Sequence, residues 1–90
     1  MEAEERIIIM LEFKMTKETE SIVEYKYFPE GDDVFGIVQY DKINKKCSII
    51  KYAPNYDNSE FAPYAIQFFS RIRKYAAEGS FQQEGMVAWY

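Results

Sequence analysis

The 90-residue sequence predicts an α+β fold: a four-stranded antiparallel meander with one long C-terminal helix packed on one face, and a possible short fifth strand at the C-terminus. Apolar residues recur with a two-residue period through the first half of the chain. The connections between these segments are short and rich in Pro, Gly, Asn and Asp, which favours neighbouring antiparallel strands. A single segment of helical period follows, over residues 59–78.

Each element has its own warrant. Ile7, Ile9, Leu11, Phe13 and Met15 alternate with Ile8, Met10, Glu12 and Lys14, placing a strand over residues 6–15. Glu, Met and Leu here also suit a helix, but three successive Ile residues and Phe13 favour the strand. Residues 16–20 read as a polar turn. The second strand, 21–28, sets Val23, Tyr25 and Tyr27 opposite Ile22, Glu24, Lys26 and Phe28. Pro29, Glu30, Gly31, Asp32 and Asp33 make a loop. Strands over 34–41 and 47–52 follow, joined by a hairpin turn at 42–46 that includes Asn44.

Pro54 breaks the strand pattern, and Asn58 or Ser59 is placed to cap the helix. On a helical wheel Tyr64, Phe68, Ile72, Tyr75, Ala65 and Phe61 share an apolar arc, while Glu60, Gln67, Ser70, Arg71, Lys74 and Glu78 lie opposite. Pro63 is tolerable only in a first turn, and Gly79 stands where a left-handed cap belongs. The tail, 80–90, can pair with the first strand or fold over the sheet.

The length suits a single domain spanning residues 1–90. Its acidic start lacks the basic region of a secretory signal, and its longest apolar run is far short of a membrane span. A cytoplasmic protein with no membrane association is therefore expected. The net charge of −4 divides into −6 over residues 1–33 and +2 over the rest, which argues against nucleic acid and toward a basic partner.

Chemistry-bearing motifs are sparse. The absence of His removes the usual general base and the commonest metal ligand. Cys47 reads as a structural thiol, and the four glycines form no phosphate cradle. Glu30, Asp32 and Asp33 lack the spacing of a calcium loop, so no metal, cofactor or catalytic residue is expected, and the protein is read as not an enzyme. Arg71, Arg73 and Lys74 are expected to complement the dipole of the last helical turn.

The functional argument rests on surface. Aromatic residues make up 18% of the chain, and one helix about 10 Å wide cannot cover both faces of a four-stranded sheet about 19 Å wide. Ile8, Met10, Phe28, Phe35 and Ile37 gather at the lower end of the face away from the helix. Met86, Trp89 and Tyr90 of the tail are added to this candidate interface. The leading expectation is a non-catalytic interaction module that forms a homodimer through this patch. The alternatives are a small-ligand pocket between helix and sheet, and single-stranded nucleic-acid binding through Tyr25, Tyr27 and Tyr40.

Overall fold

The computed structural model describes residues 8–89. In chain order the elements are β1 (Ile9–Glu18), β2 (Ile22–Pro29), β3 (Gly36–Asp41), β4 (Lys46–Lys51), α1 (Pro63–Glu78) and β5 (Glu84–Trp89). They form one antiparallel sheet in the order β4-β3-β2-β1-β5, with α1 packed on one face. The expected α+β meander is present, and the tail supplies the fifth strand by pairing with β1 from Ile9↔Trp89 to Lys14↔Glu84.

Strand alternation decides what is buried. Leu11, Phe13, Val23, Tyr25, Tyr27 and Val38 all point beneath α1 and are at most 3% exposed. From the helix come Ala65, Phe68, Phe69, Ile72 and Tyr75, at the three- and four-residue spacing that lines one helical face. The contact is built of rings: Phe68 lies 4.8 Å from Phe13 and meets Tyr25 edge-on at 5.2 Å. Most of the aromatic excess is therefore core.

Two strand glycines make room for those rings. A Cβ on Gly36 would stand 2.3 Å from the Tyr27 ring, and one on Gly85 would stand 3.0 Å from Phe13. Each glycine is directly opposite its aromatic partner in the ladder, so the ring lies flat over bare backbone.

Three expectations are corrected. The first strand continues to Glu18 rather than stopping at residue 15, because a bulge between Met15 and Lys17 keeps the polar stretch paired to β2. Residues 6 and 7 of its expected start lie outside the described residues. The helix begins at Pro63, not at 59, because Asn58 instead closes a local turn by accepting from the N–H groups of Glu60 and Phe61. Phe61 thus falls outside the helix and is 70% exposed rather than buried. Finally, the last turn of α1 holds no basic residue, so Arg71, Arg73 and Lys74 do not serve the dipole there.

The helix ends are nonetheless well satisfied. Gly79 adopts φ 76°, and Gly79 and Ser80 donate to the carbonyls of Ala76 and Tyr75. At the other end Asp57, only 5% exposed, accepts from the N–H of Tyr64 at 3.1 Å and of Ala65 at 3.0 Å, and from the Tyr27 hydroxyl at 2.6 Å. One carboxylate therefore caps α1 and ties it to the middle of the sheet. Among the described residues no helix is long and apolar enough to cross a membrane.

Candidate interaction surface

Alternation turns the other half of each strand to the face without a helix. Met10, Glu12 and Lys14 of β1 stand there beside Lys26 and Phe28 of β2, Ile37 of β3, and Glu84, Met86 and Ala88 of β5. Ile8 precedes β1 and is 57% exposed; Met86 is 56% exposed. Met10, Phe28, Phe35 and Ile37 are half-buried. Among the described residues no segment lies across this face.

The patch carries its own cover of cations. The Phe28 and Phe35 rings are 6.0 Å apart, and the Nζ atoms of Lys51 and Lys26 lie 3.8 and 4.4 Å from the Phe35 centroid. Lys51 reaches this face through a second bulge, where Ile37 pairs with Lys51 while Val38 pairs with Ile49. On the opposite flank Glu12, Lys14, Phe28, Glu84 and Met86 line an open groove of about 420 Å³.

The remaining candidates are placed elsewhere. Trp89 shares the helix face with Val87, and its ring meets Tyr64 edge-on at 5.5 Å. The sheet thus separates it from Met10 and Phe28. Tyr90 lies outside the described residues. Two acids of the 29–33 loop, Glu30 and Asp32, are engaged by tyrosines away from the patch. Glu30 accepts from the Tyr64 hydroxyl at 2.7 Å and from the Met10 N–H, and Asp32 accepts from the Tyr56 hydroxyl at 2.9 Å. Burial and the bond to Glu30 raise the Tyr64 pKa, while the bond to Asp32 is the main cause raising that of Tyr56.

Several side chains weighed for other chemistry have structural surroundings. Tyr25, Tyr27 and Tyr40 lie beneath α1, where they offer no stacking platform. Phe68 and Ile72 fill the space between helix and sheet. Cys47 is half-buried, and burial pushes its thiol pKa up, away from the reactive thiolate. Among the described residues no three Cys, Asp or Glu side chains converge to hold a metal ion.

Sequence reasoning missed Asp57 and the lysine cover of Phe35. An aspartate six residues before a proline is a faint signal for a helix cap, and Tyr27 is 30 residues away in sequence. The lysine positions depend on register, which leaves no local mark. Comparison of the chain with protein-family models, curated proteins and solved structures finds no match.

Proposed function

We propose that the protein is a non-catalytic interaction module that forms a homodimer through its helix-free sheet face. The observation supporting this reading is the distribution of charge around the apolar residues of that face. Glu12 and Glu84 outnumber Lys14 on the β1–β5 side, Lys26 and Lys51 outnumber Glu24 on the β2–β4 side, and Phe28, Phe35 and Ile37 lie toward the middle, with Met10 beside Glu12 on β1. A two-fold axis running along the strands would lay the acidic side of one copy over the lysine side of the other. Such a face is complementary to itself.

A basic partner is less well supported, because Glu30 and Asp32 are engaged by tyrosines on the helix side. A pull-down from the native cell addresses whether another protein joins the pair.

Sedimentation equilibrium tests the reading. The expected mass is twice the 10.7 kDa of the chain, falling toward the monomer in Ile8→Asp. Lys51→Glu and Glu84→Lys, both at exposed positions, are each expected to weaken the dimer, and their combination to restore it. A monomer at millimolar concentration, or a dimer indifferent to all three changes, refutes it.

A further inference from the structure

The sheet ends on β5, and this edge differs from the rest of the surface. Met15 donates its N–H to the Gln83 carbonyl at 2.7 Å, and the ladder runs on from there without interruption. Hydrogen-bonded pairs alternate in an antiparallel ladder, so Gly85, Val87 and Trp89 turn their backbone groups toward β1. Glu84, Met86 and Ala88 consequently turn theirs outward. Among the described residues no strand pairs with that outer edge.

Edges are commonly blunted by lysine, proline or a bulge. The six residues of β5 contain no lysine or proline, its pairing with β1 has no register shift, and Glu84 is its single charge. Beside it runs a groove of about 230 Å³ whose far wall is one stripe of α1: Gln67, Ser70, Arg71 and Lys74. Arg71 is half-buried there and Lys74 exposed, and neither makes an ion pair among the described residues.

We propose that an extended acidic segment of a partner protein adds to this edge as a sixth strand, antiparallel or parallel to β5. The outward groups of Met86 and Ala88 would supply main-chain bonds. Alternate side chains of the added strand would then fall on opposite sides of the sheet. Those on the helix side meet Arg71 and Lys74, which select Asp or Glu; the Arg71 guanidinium suits a carboxylate. Those on the other side continue the surface of Met86 and Ala88, which selects apolar residues. The partner segment alternates acidic and apolar residues.

Charge also argues against a second copy at this edge. Pairing β5 with β5 about a two-fold axis would bring a second Arg71 and Lys74 to the same side of the sheet, and no residue lining the groove between them is acidic, the nearest acid of α1 on that stripe being Glu78 one turn beyond Lys74. The edge and the helix-free face are thus separate surfaces with different partners.

The test uses the full chain and fluorescein-labelled peptides of about eight residues, alternating Glu and Val, Lys and Val, or Glu and Pro. Anisotropy is expected to show binding of the Glu-Val peptide alone, weakening as salt rises from about 0.02 to 0.2 M. Met86→Pro removes an outward N–H while leaving the bonds to β1, so it is expected to abolish binding with circular dichroism unchanged. Replacing Arg71 and Lys74 together by Glu is expected to weaken the acidic peptide about tenfold or more and to admit the Lys-Val peptide. Absence of binding at low salt, equal binding of the Lys-Val peptide, or binding that survives Met86→Pro overturns the proposal. So does a dimer that dissociates in Met86→Pro but persists in Ile8→Asp, since a second copy would then occupy the edge.

Discussion

Asp57 is the position at which a single substitution should most disturb the fold. Its carboxylate accepts three hydrogen bonds, from the Tyr27 hydroxyl and from the backbone N–H groups of Tyr64 and Ala65, and it is only 5% exposed. Asp57→Ala leaves all three donors without their acceptor. Hydrogen bonds to a charged group contribute about 1.5–3 kcal/mol each, and losing a helix cap typically costs about 1 kcal/mol. These terms overlap, because water can enter where the carboxylate was, so the expected loss is about 3–5 kcal/mol rather than their sum. A domain of this size has a total stability of roughly 5–13 kcal/mol. The loss should lower the melting temperature by about 15–30 °C.

The partner variants separate the cap from the tether. Tyr27→Phe keeps both helix N–H bonds but strips the 2.6 Å hydroxyl bond and the acceptor of the Ala53 N–H, for an expected cost of about 1–2 kcal/mol. With Ala at 57, the Tyr27 hydroxyl has already lost its acceptor and keeps only the bond from the Ala53 N–H, so Phe at 27 should then cost about 0.5 kcal/mol. A double-mutant cycle by urea unfolding should therefore show about 0.5–1.5 kcal/mol of coupling. Asn58→Ala, which opens only an exposed turn, should cost about 0.5 kcal/mol. Asp57→Ala costing under about 1 kcal/mol, or Asn58→Ala costing more than it, would refute the assignment of the cap.

Three further outcomes follow from the same geometry. Burial raises the pKa of Tyr25 and Tyr27 well above the usual tyrosine value of about 10, so their contribution is whole below that pH and is lost as pH rises. Above it the unfolded chain releases protons that the folded chain keeps. Stability should therefore fall by about 1.4 kcal/mol per pH unit for each, measured by urea unfolding across the alkaline range, and the fall should be smaller by both contributions in the double Phe variant, where Tyr56 and Tyr64 still have raised pKa values. Gly36→Ala drives a methyl into the Tyr27 ring and should cost more than Gly85→Ala, where the nearest Phe13 atom is 3.0 Å away; thermal melts rank the two. Tyr25 donates its hydroxyl to the Gln82 carbonyl at 2.6 Å, so Tyr25→Phe should speed amide exchange in β5 more than in β3.

The meander was legible because a half-buried strand writes its faces into every second residue. Leu11 and Phe13, Tyr25 and Tyr27, Val38 and Tyr40 each declare the same side without reference to any neighbour. What reads poorly is whatever depends on two distant segments. Residues 16–20 look like a turn by composition, yet Glu18 belongs to β1 and meets the Lys42 ammonium at 2.9 Å across the sheet. Asp57 looks like one more polar loop residue until Tyr27 and the start of α1 converge on it. The aromatic excess misled in the same way. A count of rings says nothing about whether they stack on one another, and here Phe13, Tyr25, Phe68 and Tyr75 do.

The patch itself turns on one inserted residue. With regular pairing, Ile50 would stand opposite Ile37 and enlarge an apolar surface already holding Phe28 and Phe35. The bulge in β4 removes Ile50 from the ladder, leaving it 55% exposed, and places Lys51 opposite Ile37 with its ammonium over the Phe35 ring. Nothing in the order Cys47, Ser48, Ile49, Ile50, Lys51 marks that slip. Its consequence is chemical as well as geometric, because it exchanges a hydrocarbon for a cation at the margin of the helix-free face. A flat apolar face invites indiscriminate association, whereas one bounded by Lys51 on one side and Glu84 on the other would, on the proposed reading, favour a surface with the reverse order of charge. The same bulge that hid the lysine cover from sequence reasoning is thus what would make the patch selective.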